Sequence, residues 1–313
     1  MGPVKGLNIF WRVLNAEKTI SEGDVLIGAA VFYLKSETKV KSVSVKVKGE
    51  ANVKWTFSDV TYVGYRRYFK DKEYLIAPQN RAIELAKGLY RLNFVLRIPE
   101  GDFPSSFRGD YGSIVYALEV KISRTWLRTS SITAELYFLS KSYALLGGMR
   151  SRQSDSVDKT VGIFSKGQVN MRVTADKKCS KGEVLSIVAH ISNMSSKKVT
   201  PKFKLIQTTT YKVKDETNIV PLIVRSATGN PVKSGTEASV GCQLSVPDDI
   251  SYSIHNCSIL RVWHTIKVSL DISFAFDPTV LLPLDIIPAK YLSPPDDSDA
   301  GPSAAPPAAP HLE

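Results

Sequence analysis

Ser21-Glu22-Gly23-Asp24-Val25-Leu26 opens a strand-like run, and Ser180-Lys181-Gly182-Glu183-Val184-Leu185 opens another. Two further cues recur in step with this pair. Gly88 leads through the alternating Leu92, Phe94, Leu96 and Ile98 to Pro99, and Gly235 leads through Leu244 and Val246 to Pro247. Ser113-Ile114-Val115 with Tyr116 and Leu118 then answers to Ser258-Ile259-Leu260 with Val262 and Trp263. Three cues in the same order point to two tandem copies of one β-rich unit, an arrangement that favours a binding scaffold over an enzyme.

Alternation with period two runs through both halves. Val43, Val45 and Val47 face one way, and Ser42, Ser44, Lys46 and Lys48 the other; Ile114, Tyr116, Leu118, Val120 and Ile122 form a second half-buried strand. Leu260, Val262, Ile266, Val268, Leu270, Ile272 and Phe274 repeat the pattern, with His264 at an inward position. Such strands between turn residues are the mark of antiparallel sandwiches, so the fold class is all-β. The best helical candidate is a short piece from Arg81 to Lys87.

The 313 residues suit two domains of roughly 150 residues, each able to bury its own core. The net charge of +11 favours anionic partners: phosphorylated peptides, acidic lipid surfaces or nucleic acid. Nucleic acid ranks last, because no basic and aromatic stripe of a recognised module is present. Cys179, Cys242 and Cys257 are an odd number without metal-like spacing, which fits small buried hydrophobes in a reducing compartment better than a disulfide framework or a zinc site. No run approaches the ~18 apolar residues of a membrane span, and the N-terminus lacks a signal-peptide layout. Asn193-Met194-Ser195 and Asn256-Cys257-Ser258 match the glycosylation sequon by chance on this reading.

Composition divides the chain into a first domain over residues 1–147, a polar linker over 148–162, a second domain over 163–290 and a tail over 291–313. Residues 293–313 hold six of the 17 prolines and no Lys or Arg, so disorder is expected there.

Several of these residues resemble the arrestin family, specifically the arrestin-domain-containing proteins or α-arrestins. In the first half the likeness lies in Glu22-Gly23-Asp24-Val25, Val47-Lys48-Gly49-Glu50-Ala51, Val53-Lys54-Trp55-Thr56, Pro104-Ser105-Ser106-Phe107 and Ile114-Val115-Tyr116. In the second it lies in Cys179-Ser180-Lys181-Gly182-Glu183, Asn193-Met194-Ser195-Ser196-Lys197, Pro201-Lys202, Ile254-His255-Asn256-Cys257-Ser258-Ile259 and Pro283-Leu284-Asp285-Ile286-Ile287. The resemblance implies two tandem immunoglobulin-like antiparallel β-sandwiches without a catalytic site. It also implies a cytosolic trafficking adaptor, peripheral to the plasma membrane and endosomes, that binds membrane receptors or transporters and directs endocytosis and endosomal sorting. Many α-arrestins recruit HECT-type ubiquitin ligases through Pro-Pro-x-Tyr motifs. Here Pro294-Pro295 precedes Asp296-Asp297 and Pro306-Pro307 precedes Ala308-Ala309. WW domains need the tyrosine for their second pocket, so a direct ligase link is doubtful.

The search for chemistry of other kinds returns no catalytic residue, no cofactor-binding motif and no metal site: H-E-x-x-H, C-x-x-C, G-x-S-x-G and G-x-G-x-x-G are all missing. His190, His255, His264 and His311 are scattered without ligand spacing. The basic residues carry more. Lys46 and Lys48 line the polar side of one strand, Arg66, Arg67 and Lys70 cluster with Tyr65 and Tyr68 in a following loop, and Lys197 and Lys198 recur in the second half. These are the candidate partner-binding residues, weighed against solvated strand faces whose lysines discourage edge pairing. The competing reading is a phosphopeptide- or anionic-lipid-binding sandwich with no ubiquitin-ligase link.

Overall fold

In the computed structural model, residues 3–14, 19–125, 128–148, 151–161, 167–272 and 277–292 are described. They divide into two compact units. One comprises Met1–Leu145, Lys204–Ser226 and Asp249–Ile266; the other comprises Leu146–Phe203, Ala227–Asp248 and Lys267–Glu313.

The first half of the chain folds as β1 (Val4–Val13), β2 (Val25–Leu34), β3 (Thr38–Phe57), β4 (Val60–Ile76), β5 (Ile83–Leu85), β6 (Gly88–Arg97), β7 (Phe107–Gly109), β8 (Gly112–Arg124) and β9 (Ser130–Leu136), followed by the single helical turn α1 (Tyr143–Leu146). Strands β1, β2 and β6 form one antiparallel sheet in the order β1-β2-β6. The other sheet runs β4-β3-β8-β7, with β5 paired to β3 and β9 to β8. The alternation read from sequence is what holds the two together. Val43, Val45 and Val47 stand opposite Ile122, Val120 and Leu118. All six are fully buried, in one cluster with Leu26, Ala30, Phe32, Phe94 and Leu96 of the facing sheet. Tyr116 anchors the end of this core. Its ring stacks on Phe138 at 4.0 Å, and its hydroxyl donates to the Pro104 carbonyl at 2.6 Å, so the buried phenol is satisfied.

The second half supplies β10 (Arg152–Val161), β11 (Gly167–Asp176), β12 (Lys178–Cys179), β13 (Val184–Asn193), β14 (Thr200–Val213), β15 (Glu216–Thr228), β16 (Thr236–Ser245), β17 (Leu260–Asp271) and β18 (Thr279–Ile286). The sheet orders are β10-β11-β13-β16 and β12-β18-β17-β14-β15. His264 lies inward on β17 with 2% of its surface exposed; its Nδ1 is 3.0 Å from Ser253 Oγ. Cys179 and Cys257 are buried and Cys242 is half-buried, and none of the three is in a disulfide.

Three local expectations are corrected. Arg81 to Lys87 is not helical: Ile83–Leu85 is a strand whose residues pair with Thr38–Val40. Seven residues are too few to offset the cost of helix nucleation, whereas the edge of β3 offers a ready ladder. Arg66, Arg67 and Lys70 do not sit in a loop; they belong to β4, which pairs with β3 along nearly its whole length. The stretch read as a flexible linker holds β10, ten residues in unbroken antiparallel register with β11. The tail from 293 onward lies outside the described residues.

Candidate functional site

The outer face of the β4-β3-β8 sheet is assembled by register. Along β3, Ser44, Lys46, Lys48 and Glu50 alternate with the buried Val43, Val45 and Val47 and so project away from the core. Antiparallel pairing then sets Lys46 between Lys72 and Glu119, Lys48 opposite Lys70, Ser44 between Tyr74 and Lys121, and Glu50 opposite Arg67. Lys46–Lys72 and Lys48–Lys70 are like charges placed directly across strands, an arrangement that destabilises a sheet unless it is compensated.

The compensation is partial. Glu119 pairs with Lys46, and Glu50 pairs with Lys48 and, through Arg67 Nε, at 3.2 Å. Tyr65 donates its hydroxyl to Glu50 Oε1 at 2.6 Å. Burial by itself would raise the Glu50 carboxyl, but the hydrogen bonds from Lys48, Tyr65 and Arg67 outweigh it and hold the group below its ordinary range. Lys72 rests over the Tyr74 ring, its ammonium 4.1 Å from the centroid and 2.7 Å from the hydroxyl. Lys70 and Lys121 make no ion pair among the described residues. Six cations (Lys46, Lys48, Arg67, Lys70, Lys72, Lys121) against two carboxylates (Glu50, Glu119) leave this face at +4. Its centre is a depression of about 170 Å3 lined by Ser44, Lys46, Lys70, Lys72, Glu119 and Lys121.

The sequence-derived candidates separate here. Lys46, Lys48, Arg67 and Lys70 come together on this face. Arg66 does not: it pairs with Ala51, whose side chain is fully buried, and its guanidinium carbon lies 5.9 Å from the Tyr68 ring centroid. Tyr68 packs edge-on against Phe103 at 6.1 Å. Burial, and after it the neighbouring Cys257 thiol, pushes the Tyr68 hydroxyl upward. Lys197 and Lys198 fall in the other compact unit, exposed between β13 and β14. Lys121 and Glu119 were missed. Their outward positions on β8 follow from the alternation that buries Leu118, Val120 and Ile122, but only the β3–β8 register brings them to Lys46.

Clustered ammonium groups on a rigid sheet can hold carboxylates or phosphate oxygens as point charges. No group of three or more His, Cys, Asp or Glu that could hold a metal occurs among the described residues, and no described helix is long and apolar enough to cross a membrane. The second unit offers a polar depression of about 490 Å3 on β11, β13 and β16, where His190 Nδ1 is 2.7 Å from Ser239 Oγ and Ser192 donates to Glu237 at 2.8 Å. Arg172 and Glu237 balance there, so it has no comparable charge bias.

Comparison with known proteins matches the same two-part organisation. The profile described as arrestin (or S-antigen), N-terminal domain, covers residues 12–141, and that described as arrestin (or S-antigen), C-terminal domain, covers residues 165–291. Arrestin domain-containing protein 4 of Mus musculus is 27% identical over 93% of this chain and 73% of its own length, and that of Homo sapiens is 26% identical over the same shares. Thioredoxin-interacting protein of Mus musculus is 25% identical over 90% of this chain and 74% of its own length. The two sandwiches, the repeated turn and strand cues, and these matches over most of the sequence agree: the chain belongs to the arrestin family, as a homologue of the α-arrestins.

Proposed function

We propose that this protein is a non-enzymatic trafficking adaptor that captures cytoplasmic segments of membrane receptors or transporters and directs their endocytosis and endosomal sorting. Proteins of this family are generally non-enzymatic adaptors that bind receptors or cargo. The observation that carries the reading is the β4-β3-β8 face, where register gathers six cations against two carboxylates and four of the cations line a shallow depression. Acidic or phosphorylated cargo segments have the complementary charge, and contacts of this type speed encounter and weaken with salt.

The test uses the full chain and a fluorescent receptor-tail peptide in multiply phosphorylated and unphosphorylated forms, read by anisotropy. Lys70→Glu with Lys121→Glu is expected to weaken the phosphorylated peptide by about tenfold or more, on the scale of two partly desolvated charge contacts. Arg66→Glu, on the other side of β4, is expected to leave affinity within about twofold of the parent. Equal affinity of parent and double variant would remove the basic face from the proposal.

A further inference from the structure

The other sheet of the first sandwich has an outer face that the cargo reading does not use. Strands β1, β2 and β6 are ten residues each and contain no Asp or Glu. Their outward positions are fixed by the register rows Lys5-Tyr33-Leu89, Asn8-Val31-Arg91, Phe10-Ala29-Asn93 and Arg12-Ile27-Val95, with Arg97 beyond Val95 opposite Val25. Inward lie Leu26, Ala30, Phe32, Leu34, Phe94 and Leu96, all buried, so the alternation that builds the core leaves the outward set exposed.

What remains outside is apolar. Phe10 is 58% exposed, Val95 62% and Leu89 72%, while Ala29 between Phe10 and Asn93 is 2% exposed and forms the floor. The result is a trough of about 460 Å3 along β2, walled by Phe10 and Arg12 on one side and by Arg91, Asn93 and Val95 on the other. The four cations of the face flank this trough on both edge strands: Lys5 and Arg12 toward the two ends of β1, Arg91 level with Asn8 in the middle of β1, and Arg97 at the end of β6. Seven residues of strand separate Lys5 from Arg12, about 23 Å, and two strand spacings separate β1 from β6, about 10 Å. Arg12, Arg91 and Arg97 make no ion pair among the described residues.

From this arrangement we propose that the outer face of β1-β2-β6 is a docking surface for an anionic lipid bilayer. An amphipathic surface holds a membrane when it offers two signals at once, apolar side chains for the acyl boundary and basic residues for the anionic headgroups. This face offers both, and its three strands carry no carboxylate to repel a negative surface. The placement of the cations selects the occupant. A planar anionic surface meets the cations of β1 and those of β6 at once, whereas an extended peptide would follow one wall and leave the other unpaired. The guanidinium groups of Arg12, Arg91 and Arg97 match phosphate oxygens in bidentate geometry, and the fluid headgroup layer fills the trough over Ala29 without needing a complementary shape. The inference is independent of the cargo site, whose residues lie on the opposite sheet of the sandwich.

The experiment is flotation of the full chain with vesicles of phosphatidylcholine alone and of phosphatidylcholine with phosphatidylserine. The parent is expected to float with the phosphatidylserine vesicles and to stay largely free with the neutral ones. Arg12→Glu with Arg91→Glu, and separately Phe10→Ser with Val95→Ser, are each expected to lower the partition coefficient by about tenfold or more. All four positions are solvent-facing, and an unchanged thermal melt establishes that each variant folds. Lys70→Glu with Lys121→Glu is expected to change vesicle partition by about twofold at most while weakening peptide capture by about tenfold or more, so failure of either site is read separately. Three results would overturn the proposal: no flotation of the parent, flotation undiminished in both face variants, or loss only in the Lys70/Lys121 variant. So would a concentration-dependent dimer of the parent, without flotation, that Phe10→Ser with Val95→Ser dissolves, since the face would then be covered by a second copy of this chain.

Discussion

Gly23 and Gly182 adopt the same left-handed φ of 76° in turns with the same hydrogen bonding. In each, the serine two residues before the glycine receives the backbone N–H of the residue after it (Asp24 to Ser21 O, 3.3 Å; Glu183 to Ser180 O, 3.4 Å). The acidic side chain returns the contact by accepting from the serine N–H, Asp24 Oδ2 at 2.9 Å and Glu183 Oε2 at 3.0 Å. The glycine N–H then reaches the end of another strand, Ile98 O at 3.1 Å or Val246 O at 2.9 Å. These are type II turns, which need a positive φ at their third position.

Gly182→Ala is therefore expected to destabilise the protein by about 1–2 kcal/mol, the usual cost of the left-handed region for a residue with a Cβ. The added carbon would also stand 2.8 Å from Asp248 Oδ1. Gly241→Ala is the control, since its Cβ would meet nothing within 4 Å and its φ is not positive. Thermal melts of the two variants should diverge, and equal melting temperatures would show that the turn carries no strain.

Glu50 gives a pH dependence of known sign. Its carboxyl is held below the ordinary glutamate value of 4.5, so its contribution to stability is present above that pH and is lost as the pH falls through the lowered value. Glu50→Gln should lose less stability than the parent on acidification below pH 4.5, measured as the urea midpoint at successive pH values. Parallel pH curves for the two proteins would mean that the Lys48, Tyr65 and Arg67 contacts are matched in the unfolded chain.

Asn193 is completely buried, and its amide donates to the carbonyls of Lys197 at 2.8 Å, Val232 at 3.1 Å and Lys233 at 3.1 Å, while its oxygen accepts from Ser195 Oγ at 2.6 Å. Asn193→Ala strips three carbonyls of a donor in a closed site and is expected to cost about 2–4 kcal/mol. The same geometry leaves no amide hydrogen of the folded protein open to glycosylation. Denaturant midpoints measure the first effect; a midpoint equal to the parent's would mean that water replaces the amide.

Where burial alternates strictly, the sequence was readable. Val43, Val45 and Val47, the run from Ile114 to Ile122, and His264 among the inward positions of β17 all occupy the sides that period two assigns. The reading failed on β4 because an edge strand has no second partner to impose a pattern: Arg66 and Arg67 are both exposed, although they lie on opposite faces. It also missed that Lys121 joins Lys46 and Lys70, because that neighbourhood depends on pairing between segments some seventy residues apart. The apolar outer face of β1-β2-β6 escaped notice for a related reason. Phe10, Leu89 and Val95 are unremarkable singly, and only the register gathers them.

The register of β4 against β3 slips by one between Gly49 and Glu50: Phe69 pairs with Gly49 and Arg67 with Glu50, so Tyr68 is the extra residue of a bulge. On either side of it the strand is in phase with the same partner, and both Arg67 and Lys70 point outward. The bulge thus marks an address at which the chain can gain or lose one residue without changing what either half displays. Away from this bulge and the second one at Leu75, insertions and deletions in β4 would turn a segment inside out, exchanging its charged and apolar sides. At Tyr68, length and display are uncoupled, and related chains can vary there while keeping the same arrangement of charge.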